Sequence, residues 1–449
     1  MKKILVFGAG RSSSNLIKYL LEQSKQHNWK IIVNDLDNNL ITDKTKNHPN
    51  SESSNIDINN IENIKLLIEK ADIVVSMLPA FLHIKIAEVC LESGKNLVTA
   101  SYVSNEMKAL DEKVKAKGLT FLNEIGLDPG IDHLSGMEMI DKVKVKGYKI
   151  KGFESFTGGL LAPESEGENP WRYKFTWSPK QVVVSGQGTV KFIQEGTYKY
   201  IPYHKLFRRT EPIEVPEFGK FEGYANRDSL KYREIYGLED IETLYRGTLR
   251  RPGFCRAWDI FVQLGATEDS YQMENVKNMT HREFINSFLA YHPFNTVELK
   301  LDHYLGIYQD QIELKEKLEW LGIFSNEKVG LEKGTPAEIL LHILSKKWTL
   351  NPSEKDMIVM WHKLTYQDEN KNYHELQSSM VVKGDDEKYT AMSKTVGLPV
   401  GIAVKLILTG VIKNTGVLIP IQKEIYQPVL EELSKNGIIF NEISKVYEA

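Results

Sequence analysis

The amino-acid sequence predicts an α/β protein: a doubly wound parallel sheet, then a mixed-sheet α+β part that carries an α-helical insertion. Three observations predict it. Over the first 125 residues, short apolar runs alternate with stretches of helical spacing, the pattern of strands buried on both faces and joined by helices. From Tyr148 onward, brief strand-like runs separated by turn residues replace that alternation. Over about residues 272–347, apolar side chains recur at helical spacing (Ile312, Leu314, Leu318, Trp320, Leu321, then Ile339, Leu340, Ile343, Leu344).

The elements follow in order. Ile4–Phe7 reads as a buried strand, and Gly8-Ala9-Gly10-Arg11-Ser12-Ser13 comes directly after it. Leu16, Ile17, Leu20 and Leu21 then recur at helical spacing. Strand, glycine turn and helix are the context in which a dinucleotide fingerprint has meaning. Gly8 makes the tight turn, Gly10 allows a pyrophosphate to approach the backbone, and the helix start offers free N–H groups. Ser13 stands where the fingerprint has its third glycine. The next strand, Lys30–Val33, runs into Asn34-Asp35-Leu36-Asp37. A carboxylate at Asp35 accepts from both ribose hydroxyls and repels a 2′-phosphate, which argues for NAD over NADP. The alternative is that Asp35 and Asp37 are solvated loop acids. Residues 43–55 are polar and read as a loop. Asp72–Pro79 and Asn96–Tyr102 are further strands, the second preceded by a helix ending at Gly94. Leu119–Leu122 is a short strand that leads into Asn123-Glu124-Ile125-Gly126-Leu127-Asp128-Pro129-Gly130-Ile131-Asp132-His133, and Leu134, Met137 and Ile140 then take helical spacing. Leu78-Pro79, Ala100-Ser101-Tyr102 and Leu127-Asp128-Pro129 all fall at strand carboxyl ends, the side on which such sheets hold ligands.

In the second half, Lys149–Phe156, Gln181–Val184 and Val190–Ile193 read as strands and Ser155–Glu168 as an ordered loop. Trp171–Ser178 interleaves aromatics with Arg172 and Lys174 as a basic, aromatic face. The segments Asn226–Ser229 and Arg246–Arg251 supply arginines able to pair bidentately with the carboxylates of a small acid. Met357–Leu364 and Ser378–Val382 resume strand patterning, and Met392–Thr409 is a long glycine-containing helix expected to return to the first domain.

Bulk properties narrow the function. At 449 residues the chain is long enough for two or three cores. With 41% hydrophobic and 26% charged residues and a net charge of −3, it has no basic field to hold nucleic acid or an anionic membrane. Cys90 and Cys255 fit neither a disulfide framework nor a metal site. The first apolar run is too short for a signal peptide, and no later one approaches the roughly 18 uninterrupted residues of a membrane span, so a cytoplasmic protein is expected.

A set of segments spread in order over nearly the whole chain carries a resemblance: VTASYVS (98–104), NEIGLDPGIDH (123–133), GGLLAPES (158–165), YKFTWSP (173–179), GYANRDS (223–229), RGTLR (246–250), WLGIF (320–324), EKDMIVM (354–360) and YTAMSKTVGLP (389–399). The chain resembles the saccharopine dehydrogenase family of the L-glutamate-forming type, also called saccharopine reductase. The resemblance implies a Rossmann domain (1–128), a mixed-sheet substrate domain (129–271 and, on its return, 348–388), a helical insertion (272–347) and a C-terminal segment (389–449) back on the Rossmann domain. It implies reversible oxidation of L-saccharopine to L-glutamate and 2-aminoadipate 6-semialdehyde, and a homodimer. Gly8, Ala9, Gly10, Arg11, Asp35, Asn39, Leu78, Ala100 and Ser101 would line the cofactor, with Trp177 near its nicotinamide side. Ser101, Tyr102, Arg227, Thr248, Leu249 and Arg250 would line the substrate, and Leu127, Asp128 and Pro129 would lie between the two ligands.

Family members divide between NADP and NAD, and the acidic Asp35 resembles the animal-type domain, so NAD is expected with NADP as the alternative. The chain departs from the family at Arg11-Ser12-Ser13-Ser14, which replaces a more apolar segment. Asp128 and Tyr102 are the candidate acid/base pair by position, with Glu124 behind them. His133, at a helix start, is as readily a capping or packing residue. Rival readings are a carboxynorspermidine-synthase-like imine reductase, whose polyamine substrate calls for acidic rather than arginine-lined surroundings, and a non-catalytic NAD-binding protein on the same scaffold. A lysine-forming saccharopine dehydrogenase belongs to a differently patterned family.

Overall fold

The computed structural model describes residues 1–306 and 311–447. Residues 307–310 of the expected helical insertion and 448–449 of the expected C-terminal segment lie outside the described residues. The chain forms two compact units, Met1–Ile150 with Leu364–Ala449, and Lys151–Lys363.

The first unit is built on a seven-stranded sheet in the order Gly416–Leu418, Thr120–Leu122, Asn96–Thr99, Ile73–Ser76, Lys2–Phe7, Trp29–Asn34, Ser51–Ser54. Every neighbouring pair is parallel, Ile4 for example lying opposite both Ile31 and Ile73. Ile4, Leu5, Val6 and Phe7 are fully buried, as expected of a strand with helices on both faces. Each such side chain contributes about 1.5–3 kcal/mol of burial free energy. The strand order reverses at Lys2–Phe7, which makes the carboxyl end of this strand the place for a ligand.

Two parts of this unit differ from the sequence expectation. Residues 43–55 are not a continuous loop: Asn38–Thr45 is a helix and Ser51–Ser54 an edge strand. Asp37 starts the helix by accepting from the Asn39 N–H, and the polar strand is held by backbone pairing to Ile31–Asn34. Neither cause leaves an apolar period to read. In addition, Gly416–Leu418 adds a strand to the sheet beside Thr120–Leu122, from almost the other end of the chain.

The helix Ala391–Leu408 contains Pro399 and packs on Ser14–His27. A Cβ at Gly397 would come within 2.8 Å of the Leu16 nitrogen, and one at Gly401 within 2.8 Å of the Tyr19 ring, so the two helices meet at glycines one turn apart. By length and mean composition this helix would suit a membrane crossing, but Lys394 and Lys405 interrupt its apolar run and most of it is buried inside the unit. The helix Ile131–Lys144 packs against Lys423–Lys435, where the Tyr426 hydroxyl donates to Asp141 Oδ2 at 2.6 Å. Strand Tyr373–Lys383 pairs antiparallel with Asn441–Tyr447. Residues 129–150 and 364–388, placed in the substrate domain from the sequence, thus take part in the first unit through contacts distant in sequence.

In the second unit the strand order is Glu211–Val215, Gly219–Ala225, Thr243–Arg250, Lys149–Leu161, Asp356–Gln367. Thr243–Arg250 runs parallel to Lys149–Leu161 and antiparallel to Gly219–Ala225, so the sheet is mixed. The hairpin Thr189–Gln194 and Thr197–Pro202 joins it at Leu244. The first strand continues to Leu161, where a loop was expected. Its glycines allow this, since a Cβ at Gly158 would stand 2.5 Å from the Leu249 carbonyl oxygen. Gln181–Val184, expected as a strand, falls in the short helix Pro179–Val183, started by Pro179 at its first position. The aromatic run at 171–177 is mostly core, not a face: Trp171, Tyr173 and Phe175 are buried against Phe254 and Trp348. Among the described residues, the α-helices His281–Asn286, Val297–Leu305, Ile312–Trp320 and Pro336–Trp348 occupy the expected insertion, with capping boxes at Thr280/Glu283 and Thr335/Glu338.

Candidate active site

At the end of strand Lys2–Phe7 the chain turns at Gly8, whose φ is 99°. A Cβ there would lie 2.9 Å from the Met77 carbonyl oxygen, so this turn admits only glycine. A Cβ at Gly10 would meet nothing within 4 Å, which leaves the outer side of the turn accessible to a flat anionic group. The Gly8 N–H donates to the Asn34 carbonyl, and the Ala9 N–H donates to Asp35 Oδ2 at 2.7 Å. Asp35 Oδ1 accepts from the Asp37 N–H at 3.0 Å. The carboxylate therefore sits directly against the glycine turn. A single 3-10 turn, Arg11–Ser13, leads into the helix Ser14–His27. This cradle fits a dinucleotide: a close-approach turn, a helix start for the pyrophosphate, and an acid beside the ribose position.

Beneath the turn lies Lys44, which the sequence reading did not single out. Its ammonium donates to the Gly10 carbonyl, to Ser14 Oγ at 2.9 Å and to Ser13 Oγ at 3.3 Å. Burial, with Lys388 nearby, lowers its pKa to about 8, against the pull of Asp43 and Asp35.

Leu78, Ala100 and Ser101 follow the next two strands at their carboxyl ends. His83 joins these strands chemically. Its Nδ1 meets Ser76 Oγ at 2.7 Å and its Nε2 meets Ser101 Oγ at 2.7 Å, with Thr99 Oγ1 at 3.4 Å. Burial lowers its pKa to about 4, so the ring is neutral at ordinary pH, with one N–H to donate and one lone pair to accept. His83 was missed because a lone histidine at a helix start gives no sign of its burial. The Ser76/His83 spacing across a proline-marked turn was the only signal.

The stretch 123–133 folds back on the segment after Asn96–Thr99. The Glu124 N–H donates to the Ser101 carbonyl at 3.1 Å, and Gly126 N–H donates to the Pro129 carbonyl at 3.0 Å. The Asp128–Pro129 peptide is cis. Gly130, at φ 148°, lies so close to Gly126 that a Cβ would fall 2.0 Å from its carbonyl oxygen. The result places the half-buried Tyr102 and Asp128 side by side, the Tyr102 hydroxyl donating to Asp128 Oδ1 at 3.1 Å. Glu124 is buried behind them, Oε1 accepting from the Val103 N–H at 3.0 Å and Oε2 paired with His133 Nε2 at 2.9 Å. Asp132 Oδ1 accepts from the Gly130 N–H at 2.6 Å. His133 and Asp132 thus hold the turn from behind. Asn39 is exposed, and its N–H is used in capping by Asp37.

In the second unit, Thr248, Leu249 and Arg250 end the strand Thr243–Arg250. Arg250 is buried in a cage of rings, with its guanidinium carbon 5.1 Å from the Tyr173 centroid, 5.8 Å from Tyr224 and 5.2 Å from Phe254. It donates to the Leu249 carbonyl at 2.9 Å, its Nε has no hydrogen-bond partner, and no carboxylate of the described residues pairs with it. Arg251, by contrast, is paired with Glu166. Arg227 is exposed with a left-handed backbone (φ 52°), and Trp177 is half-buried, unlike the three aromatics before it.

Comparison with known proteins agrees with the resemblance. Residues 4–122 match the family model described as saccharopine dehydrogenase NADP binding domain, and residues 126–438 match the saccharopine dehydrogenase C-terminal domain. The chain is 35% identical to the mitochondrial alpha-aminoadipic semialdehyde synthase of Rattus norvegicus, over 99% of this chain and 48% of that protein. It thus spans about half the length of such mammalian relatives. It is 30% identical to saccharopine dehydrogenase [NADP(+), L-glutamate-forming] of Schizosaccharomyces pombe, over 98% of this chain and 99% of the relative. Among solved structures, the apo saccharopine dehydrogenase (L-Glu forming) of Saccharomyces cerevisiae matches with a TM-score of 0.89 at 28% identity, covering 99% of this chain and 100% of that one.

Proposed function

The chain belongs to the saccharopine dehydrogenase family, and from that premise we propose that it is an oxidoreductase that interconverts L-saccharopine with L-glutamate and 2-aminoadipate 6-semialdehyde in lysine metabolism. The observation that carries the reading is Arg250: a buried guanidinium surrounded by rings, with no carboxylate of the described residues in direct ion-pair contact and only the longer-range charge of Glu222 acting on it, is suited to receive a carboxylate supplied by a ligand. Saccharopine brings three carboxylates. A polyamine substrate would bring cations, for which this arginine is the wrong sign.

Each chemical need of the reaction has a residue. Oxidation takes a hydride from the carbon next to the secondary amine, and water then splits the resulting imine. A bound nicotinamide dinucleotide supplies the hydride acceptor. Gly8, Ala9, Gly10, Arg11 and Asp35 would hold it, with Leu78, Ala100 and Ser101 beside it. Arg250, with Thr248, Leu249 and Arg227, anchors substrate carboxylates and so aligns the reacting carbon; alignment of this kind supplies several kcal/mol of a barrier. Tyr102 and Asp128 form the hydrogen-bonded pair suited to take the amine proton and to activate water.

Within this reading we assign NAD as the preferred nucleotide. The fungal relatives' names specify NADP(+), but here the Asp35 carboxylate lies against the Ala9 amide of the glycine turn, with Asp37 close by, which supports a ribose role for it. A 2′-phosphate would face these carboxylates. A homodimer is also proposed. The outer strand Asn441–Tyr447 exposes Ile443, Val446 and Tyr447, apolar surface that self-association would cover. Sedimentation of the purified chain as a monomer at micromolar concentration would remove that part.

The test of activity is spectrophotometric: saccharopine oxidation with NAD and, separately, with NADP. Faster turnover with NAD is expected. Turnover with NADP alone would keep the reaction and overturn the role of Asp35. No reduced nucleotide with either would reject the reaction itself.

A further inference from the structure

The glycine turn runs into three consecutive serines, Ser12 to Ser14, and one buried lysine reaches the last two of them. Lys44 reaches back from the helix Asn38–Thr45 and donates to the Gly10 carbonyl, Ser14 Oγ and, more weakly, Ser13 Oγ. Ser13 Oγ itself donates to the Gly10 carbonyl at 2.9 Å. Lys44 is almost fully buried, as Ser13 and Ser14 are. One ammonium thus ties together the last glycine of the turn and the first residues of the helix whose N-terminus would receive a pyrophosphate.

We propose that Lys44 is a positioning residue for the dinucleotide, holding the glycine turn in its binding shape and adding a positive charge beneath the pyrophosphate site, so that nucleotide affinity depends on its proton. The inference rests on the dinucleotide role of this turn but not on the identity of the oxidised substrate. An ammonium has three donors, and three acceptors surround it here. Deprotonation removes one donor and the charge together. Burial first, and then the charge of Lys388, makes the proton labile. Lys388 stands nearby, paired to Asp43 at 2.5 Å, while Lys18, Lys46 and Lys388 gather around the Tyr389 ring. Asp35 and Asp43 oppose these cations. Burial leaves the Lys44 pKa at about 8, within the working range of an enzyme.

The sign of the dependence follows. A pyrophosphate at the turn favours the charged amine and raises its pKa in the bound state. Affinity is therefore full below the free-state value near 8 and falls as pH rises through the bound-state value, with proton uptake on binding in between. Arginine at this position would remain charged throughout.

The experiment is equilibrium binding of NADH to the intact chain, read by energy transfer from tryptophan and by calorimetry in two buffers of different ionisation heat, from pH 7 to 10. Wild type is expected to lose affinity roughly threefold or more above pH 8, with net proton uptake. Lys44→Met is expected to bind weakly at pH 7 with no further fall. Lys44→Arg is expected to hold its affinity to pH 10. A wild-type affinity that is flat with pH, or a Lys44→Met variant that keeps the wild-type slope, overturns the proposal. Thermal melts of each variant distinguish lost folding from lost binding, and Lys44→Arg keeps the test open if Lys44→Met does not fold. Because NADH binding is read without saccharopine, failure of the oxidation assay leaves this result standing on its own.

Discussion

A neutral imidazole wedged between two serine hydroxyls has one proton to give and one lone pair to offer, so His83 fixes which way the Ser101 hydroxyl points. Truncating it to alanine leaves that hydroxyl free to rotate and orphans Ser76. Loss of about 1–2 kcal/mol of alignment, roughly 5- to 30-fold in kcat/KM for saccharopine, is expected for His83→Ala, with His83→Asn recovering part of it. An unchanged kcat/KM in His83→Ala would show that Ser101 needs no such partner. Arg250 makes a sharper case. Replacing it with Met keeps the volume in the ring cage but removes the receptor charge, and a charge-assisted hydrogen bond is worth about 1.5–3 kcal/mol. Steady-state kinetics of Arg250→Met should show kcat/KM for saccharopine down about 10- to 150-fold, with NADH binding untouched. At Asp35 the expected change is in selectivity. Asp35→Ala removes the acceptor of the Ala9 N–H and the repulsion of a 2′-phosphate, so the ratio of kcat/KM with NAD to that with NADP should fall about tenfold or more. A ratio that stays constant would place the nucleotide choice elsewhere.

Between elements, contact distance decides. Ser14–His27 and Ala391–Leu408 approach at Gly397 and Gly401, where a Cβ would meet backbone or ring within 2.8 Å. Gly397→Ala must push the helices apart, and overpacking of this kind costs about 1–3 kcal/mol. Its urea midpoint should drop accordingly, and because the pushed helix begins at the dinucleotide turn, NADH affinity should weaken with it. A wild-type midpoint in this variant would mean that the helices do not meet at these glycines. The loop 123–130 obeys the same rule. Gly126 and Gly130 are in mutual contact, and this close approach brings Asp128 to Tyr102.

For the molecule as a whole, the buried titratable groups give a pH signature of stability. His83 has a folded pKa of about 4 against an ordinary 6.5, so its neutral burial carries no cost above pH 6.5. As pH falls to 4 the unfolded chain gains the proton first, and roughly 3 kcal/mol of stability is lost over that window. Urea midpoints of the nucleotide-free protein should fall from pH 6.5 to 4, and less so in His83→Asn, which has no ring to charge; parallel slopes would exclude His83 as the cause. The class of fold was legible in the sequence because parallel strands buried on both faces need uninterrupted apolar runs, as in Ile4–Phe7 and Ile73–Val75, and because a close-approach turn needs glycine at Gly8. Asp35, Ser101, Tyr102 and Asp128 were legible as candidates because in such a sheet they fall at the carboxyl ends of strands. Sequence by itself therefore determined the sheet, the turn and the edge at which the chemistry gathers, since local period and backbone sterics set them. Only the tertiary structure decided what is buried and what meets across hundreds of residues. It seated Lys44 under the turn, His83 between two serines and Arg250 in its ring cage, and it made core of the aromatic run at Trp171–Phe175. Burial and pairing are properties of the packed chain, and a polar residue carries no local mark of either.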